Sequence, residues 1–202
     1  MERALSHKAY DYLLDQIISG KLTPGMLLNR RDLAKELGMS TAPVVEALVR
    51  LQEDGFVTNL PRTGTIIAHI RPEDLRSYVI LREAIECQAA RLYHGKLVTK
   101  QYDSLLVLAQ RFDQVGNLLQ KLHLEYEFHC RLVALIESEK VNAMFAKIMR
   151  LILYNKMHRC ADIADETEYS NHIKLLGMLK TNDRAEAEDI MRRHINSDIY
   201  AG

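Results

Sequence analysis

Tryptophan is absent from this 202-residue chain, only 6% of its residues are aromatic, and glycine (nine) and proline (four) are scarce. Sheet proteins draw on aromatic side chains for their strands and on glycine and proline for their frequent turns. The shortage therefore predicts a mainly α fold. No run of about 18 or more uncharged apolar residues occurs, so no membrane span is expected. The first residues, Met1-Glu2-Arg3-Ala4-Leu5, lack the apolar segment of a secretory leader, and a cytoplasmic location is expected. Three widely spaced cysteines, Cys87, Cys130 and Cys160, give no disulfide framework and read as reduced thiols. A charge excess is missing too, with 27 basic and 27 acidic side chains. Residues 1–71 carry nine basic and eight acidic side chains, so any attraction for nucleic acid must come from placement rather than total. What the chain does have is 48% hydrophobic residues, on a length that suits one large or two small domains.

His172 and His194 lie at equal distances from Asp183, inside the polar break Lys180-Thr181-Asn182-Asp183 between two apolar-periodic runs. If those runs form an antiparallel helical hairpin, the two imidazoles face each other at one height. Glu125 and His129 are four apart in another apolar run and share one helix face. Taken singly, each histidine reads as a core or surface residue and Glu125–His129 as an exposed pair. Together, one carboxylate and three imidazoles can converge in a bundle, which is a metal-site pattern. Imidazole suits Zn, Ni, Fe or Cu, and a carboxylate suits harder ions as well. Positions left open on such an ion can take water or the carboxylate of a small organic acid. His123, Cys130 and His158 are near in sequence and read as bland neighbours.

The first 71 residues carry three short helical patterns. The first is expected from Ser6 as N-cap to about Ser19, with Leu13, Leu14, Ile17 and Ile18 as its stripe and Gly20 as its stop. Asn29, with Asp32 three residues on, starts the second, which Gly38 ends. Ser40 caps the third, which tolerates Pro43 in its first turn and stops at Gly55. Two short helices joined at a glycine make a helix-turn-helix, whose second helix enters the major groove. Phe56-Val57-Thr58, the turn Pro61-Arg62-Thr63-Gly64 and Thr65-Ile66-Ile67 then form a two-stranded wing. Arg31, Ser40, Thr41, Arg62, Thr63 and Gly64 are the candidate DNA contacts, against readings of Ser40 as a cap and of Arg31 and Arg62 as solvated surface.

Several stretches of this head resemble the GntR family of bacterial transcriptional regulators: Ile17-Ile18-Ser19-Gly20-Lys21-Leu22-Thr23-Pro24-Gly25, Leu33-Ala34-Lys35-Glu36-Leu37-Gly38-Met39-Ser40, Pro43-Val44-Val45-Glu46-Ala47-Leu48 and Pro61-Arg62-Thr63-Gly64. The resemblance implies a winged helix-turn-helix that binds a two-fold symmetric operator as a dimer. Where the family usually carries two arginines on the recognition helix, this chain has Thr41 and Val45, and Arg31 alone matches a third contact position. Each lost bidentate contact removes on the order of 1–3 kcal/mol, so an unusual operator or weaker, more wing-dependent binding is expected.

Arg71-Pro72 marks the expected junction, with one domain at 1–71 and another at 72–202. Beyond it, six runs with helical spacing are expected, the first following Pro72 and the others at about 99–115, 117–136, 141–158, 166–179 and 185–200. In the first, Leu75, Tyr78, Val79, Leu81, Ile85 and Ala89 form the apolar stripe, and the fourth should lie inside the bundle. Tyr78 to Glu86, Glu125-Tyr126-Glu127-Phe128-His129, the His172 region and Ala185 to His194 resemble the FCD effector domain of the FadR-type branch, in its six-helix variety. That resemblance implies a divalent metal (Zn, Ni or similar) held by Glu125, His129, His172 and His194, with Glu125 where the family usually has aspartate. Arg82 is the candidate clamp for a carboxylate effector, or else an ion pair with Glu86, and Tyr78 and Asn171 are further pocket candidates. The whole reads as a homodimeric, metabolite-responsive DNA-binding regulator, with repression the commoner outcome in the family. A helical metalloenzyme with a three-histidine, one-carboxylate site is the alternative, and a regulator whose head has lost tight DNA binding is a third reading.

Overall fold

The structure, a computed structural model, describes residues 2–159 and 171–200. It divides into two compact units, Met1–Pro72 with Tyr154–His158, and Glu73–Leu153 with Arg159–Gly202.

In the first unit α1 (Glu2–Ile18), β1 (Leu27–Leu28), α2 (Arg30–Glu36), α3 (Thr41–Glu53), β2 (Val57–Leu60) and β3 (Gly64–Ile67) follow in order. The buried residues Ala9, Leu13 and Ile17 recur at helical spacing along α1 and meet Val44, Ala47 and Leu51 of α3, which α1 packs against. The expected start of α1 is corrected: the helix begins before Ser6, which is fully buried within it rather than capping its end. Asn29 caps α2, its side chain accepting from the Arg31 backbone N–H at 3.0 Å. At the other end Gly38 takes φ +63°, and the Met39 and Gly38 N–H groups donate to the carbonyls of Ala34 and Lys35. That paired closure requires a left-handed residue, which glycine adopts without a Cβ clash, and it fixes the tight turn between α2 and α3. Ser40 has the extended backbone of an N-cap, but its hydroxyl makes no capping bond.

The wing has three antiparallel strands in the order β1-β3-β2, not two. Leu27 and Leu28 pair with Ile66 and Thr65, while β2 pairs with β3 from Val57↔Ile67 to Leu60↔Gly64. A two-residue strand carries too little alternation to read from sequence. At the tip, the Thr63 N–H donates to the Leu60 carbonyl, Pro61 occupies the second turn position and Arg62 the third at φ +65°, a type II turn.

The second unit holds α4 (Pro72–Tyr93), α5 (Lys96–Gln114), α6 (Leu118–Ala134), most of α7 (Glu139–Arg159), α8 (His172–Met178) and α9 (Arg184–Tyr200). The expected start of the fifth run at about Glu166, and Cys160, lie outside the described residues. One core joins Tyr93, Phe112, Phe128, Leu132, Phe145 and Met149 to Leu175, Leu176 and Ile195. Gly95, at φ +65°, lets the α4–α5 turn touch the α8–α9 turn: a Cβ there would lie 3.1 Å from both the Thr181 carbonyl and Asn182 Oδ1. The Gly95 N–H donates to the Leu179 carbonyl at 3.0 Å across the same junction. This locks the base of the α8–α9 hairpin and so the height of the side chains on it. Within α4 the expected stripe is corrected at Leu81, which is exposed; Ala89 is buried as expected, and Arg82, Glu86, Cys87, Ala90 and Tyr93 face inward with it. No helix among the described residues is long and apolar enough to cross a membrane.

Candidate metal centre and DNA-binding face

Glu125 and His129 sit one turn apart on the inner face of α6, His172 is the first residue of α8, and His194 lies on α9. The polar break at 180–183 forms the turn of the hairpin, with Asp183 Oδ1 accepting from the Ala185 N–H at 2.8 Å at the start of α9. Equal arms on either side of it bring the rings of His172 and His194 to a centroid separation of 5.2 Å. His129 lies 5.4 Å from His172 and 5.3 Å from His194 by the same measure. One nitrogen from each of the three rings lies within 4.8 Å of the others, and all three residues are buried. The Glu125 carboxylate closes the group, with Oε1 3.2 Å from His129 Nε2 and Oε2 3.0 Å from His172 Nε2.

Two phenyl rings fix His172, Phe112 edge-on at 4.5 Å and Phe128 tilted at 4.5 Å. Neither nitrogen of His172 makes a hydrogen bond although both are buried; Nε2 is near Glu125 Oε2 but not in hydrogen-bond alignment. A buried polar group left so costs about 1–3 kcal/mol. A ring nitrogen stranded beside two other imidazoles and a carboxylate is what a metal ligand looks like before its bond is made. The donor set of three soft-to-borderline nitrogens and one hard oxygen fits a divalent transition ion. The three histidines can therefore hold a metal.

The electrostatics extend one shell outward. Glu86, on α4, was not among the candidate ligands, yet it is fully buried and accepts from Arg82 Nε at 2.7 Å and from His129 Nδ1. Burial pushes its carboxyl up, but His129 and Arg82 outweigh burial and hold it at about 2. Burial likewise opposes the charged form of His129, and the Glu86 and Glu125 carboxylates reverse that, lifting it to about 9. Burial, then the neighbouring His129 and His172, pushes His194 down to about 3. Glu125 is held well below the carboxylate range by His129 and His172 against the cost of its own burial. With Nδ1 donating to Glu86, His129 presents Nε2 to the shared space, the arrangement by which outer carboxylates orient ligand histidines.

Arg82 is fully buried beside this group, with Nη2 3.1 Å from Glu125 Oε1 and 3.2 Å from His129 Nε2. The ion pair with Glu86 anticipated from the sequence is present at 2.7 Å. Tyr78 is half-buried one turn earlier on α4. Asn171 is exposed and caps α8, its Oδ1 accepting from the Lys174 N–H at 2.8 Å. His123 is exposed, and Cys130 and His158 are half-buried.

On the first unit, Arg31, Ser40, Thr41, Arg62 and Thr63 are all exposed and Gly64 is half-buried. Thr41 opens α3 and Arg31 lies in the first turn of α2, while Arg62 and Thr63 stand at the wing tip. Val45, where the family usually has arginine, is half-buried.

Comparison with known proteins identifies the family and the fold. Residues 5–67 match the family of bacterial regulatory proteins, gntR family, and residues 79–197 match the FCD domain. An HTH-type transcriptional regulator from the TAR-I ttuE-ttuC' intergenic region of Agrobacterium vitis is 39% identical over 41% of this chain and 48% of its own. The Nta operon transcriptional regulator of Aminobacter aminovorans is 30% identical over 61% of this chain and 60% of its own. The chain thus spans about half the length of these two relatives. YdhC of Bacillus subtilis, an HTH-type transcriptional regulator, is 22% identical over 94% of this chain and 87% of its own. Among solved structures, a GntR regulator from Rhodococcus sp. RHA1 superposes with TM-score 0.79 at 21% identity, covering 97% of this chain and 96% of that one. E. coli McbR/YncC superposes with TM-score 0.76 at 22% identity, covering 97% and 95%. These likenesses show a shared fold, and the metalloenzyme alternative finds no counterpart among the relatives named here. The chain belongs to the gntR family of bacterial regulatory proteins, and its helical bundle is an FCD domain.

Proposed function

We propose that this chain is a homodimeric, metabolite-responsive DNA-binding regulator whose bundle senses a small carboxylate through a bound divalent metal such as Zn or Ni. The convergence of Glu125, His129, His172 and His194, with His172 buried, its Nε2 3.0 Å from a Glu125 oxygen and outside hydrogen-bond alignment, is the observation that carries this reading. A bound ion supplies a Lewis-acid position for a carboxylate oxygen. The neighbouring cation favours that ligand class: buried Arg82 lies 3.1 Å from Glu125 Oε1, beside the ligand set, and a guanidinium pairs bidentately with a carboxylate. Tyr78 on α4 and Asn171 at the start of α8 are further candidates for holding the carboxylate.

In the head, Arg31, Ser40 and Thr41 address the operator from the helix-turn-helix, and Arg62, Thr63 and Gly64 from the wing. Thr41 and Val45 in place of arginines shift weight to the wing, so binding is expected to depend strongly on Arg62. The homodimer has support on α4: Ser77, Ile80, Leu81, Ala84, Gln88 and Leu92 form an exposed face with no charged residue, and Ile80 and Leu92 are 58% and 56% exposed. A two-fold pairing there would bury a self-complementary stripe.

The test is calorimetry on chelator-stripped protein before and after adding back one divalent metal, with small carboxylates as titrants, beside a gel-shift assay on DNA flanking the gene. Carboxylate binding should require metal. A double variant His172→Ala, His194→Ala that still binds one metal per chain at full affinity ends the reading.

A further inference from the structure

We propose that Arg82 is the resident counter-cation of the ligand set: its Nη2 edge engages the Glu125 and His129 atoms that a metal would bind, and releases them when the ion enters. This rests on the metal reading above and adds a role for a residue outside the four ligands. Arg82 Nη2, Glu125 Oε1 and His129 Nε2 form a triangle with sides of 3.1, 3.2 and 3.2 Å. His194 Nε2 lies 3.4 Å from the same His129 nitrogen. The guanidinium is therefore packed among the coordinating atoms themselves. It can only donate, so it engages the Glu125 oxygen that an ion needs, while its positive charge lies against the His129 nitrogen an ion would also use.

A purely structural arginine would not have to reach this far. Arg82 Nε already has Glu86 Oε2 at 2.7 Å, in a side chain wholly shielded from solvent. That bond makes displacement feasible. Swinging Nη2 away from Glu125 while Nε stays on Glu86 leaves no buried charge stranded, whereas losing both partners would be costly. Glu86 also holds His129 Nδ1, so the ligand ring keeps its orientation while the arginine edge moves. The released edge stays beside the ion and becomes available to an anion. Metal and anion binding then become reciprocally linked, each tightening the other.

Zinc chloride titrated into the chelator-stripped protein, against a chromophoric competitor, tests this on wild type, Arg82→Gln, Arg82→Lys and the His172→Ala, His194→Ala double variant. Thermal denaturation of each metal-free form is recorded alongside. Arg82→Gln removes the like charge and should bind zinc tighter by about tenfold or more, although its metal-free form melts lower. Arg82→Lys keeps a charge at the site and should bind zinc more weakly than Arg82→Gln. If the double variant loses zinc while Arg82→Gln binds it no tighter than wild type, the metal site stands and this role for Arg82 falls. If the double variant keeps full zinc affinity, both fall. Should Arg82→Gln not fold, a zinc-bound crystal structure of the wild type decides: Nη2 drawn away from Glu125 Oε1 supports the proposal, and an intact hydrogen bond between them overturns it.

Discussion

Replacing Glu86 by glutamine in the metal-free protein changes one buried charge that two cations share. The carboxylate accepts from Arg82 Nε and from His129 Nδ1, and no part of its side chain reaches solvent. Holding this carboxyl at about 2 against an ordinary 4.5 corresponds to about 3 kcal/mol, at roughly 1.4 kcal/mol per pH unit. Its sign is fixed: the folded value is depressed, so the stabilisation is present above pH 4.5 and lost as pH falls through that value toward 2. His129 works in the opposite sense. Its folded value is raised from 6.5 to about 9, so its contribution is complete below 6.5 and lost as pH rises through 9. Both shifts draw on the same Glu86–His129 attraction and are not added. Between the two flanks, Glu86→Gln should cost about 3 kcal/mol, within the range for breaking a buried pair. Urea denaturation followed by circular dichroism across pH 3–9, in the presence of chelator, measures it. The variant should also flatten both flanks relative to wild type. A loss below about 1 kcal/mol near pH 5.5, or unchanged slopes on both flanks, would refute the assignment of Glu86 as the hub of this cluster.

Arg62 sits at φ +65°, where a side chain is strained. Arg62→Gly should therefore stabilise the head by about 1 kcal/mol in thermal denaturation. The same change should weaken operator binding and make the slope of log affinity against log salt shallower by about 1, as measured by fluorescence anisotropy. Ile80→Glu with Leu92→Glu should yield monomers in sedimentation velocity at concentrations where wild type is dimeric; an unchanged dimer would place the interface elsewhere. Phe145 is fully buried in the core of the bundle, so Phe145→Ala should lower stability by about 3–5 kcal/mol in urea titration, and metal affinity should fall with it.

Apolar spacing is a local signal, and it located what depends on local order: the helices of the bundle among the described residues and the glycine-closed turn after α2. The equal arms around Asp183 went further, because a hairpin converts sequence distance into height, and His172 and His194 meet across it. What local order cannot show is which charged residues turn inward. Arg82 and Glu86, four apart, have the spacing of an ordinary exposed helix pair, whereas Leu81, Ile80 and Leu92 have the composition of a buried stripe. The structure turns the charged pair inward and leaves these three apolar side chains exposed. The inward turn of the charged pair has one physical cause. A buried guanidinium and carboxylate are tolerated only where other charges compensate them, and Glu125 and His129 supply that compensation from α6, some forty residues away. The compensation is mutual, since Glu86 and Glu125 favour the charged form of His129 and His129 in turn holds Glu125 below the carboxylate range. The inward polar face of α4 and the ligand set of α6 are thus one electrostatic unit. Sequence spacing exposes its ligand half through histidine, the rarer residue type, and conceals its supporting half behind a common salt-bridge pattern.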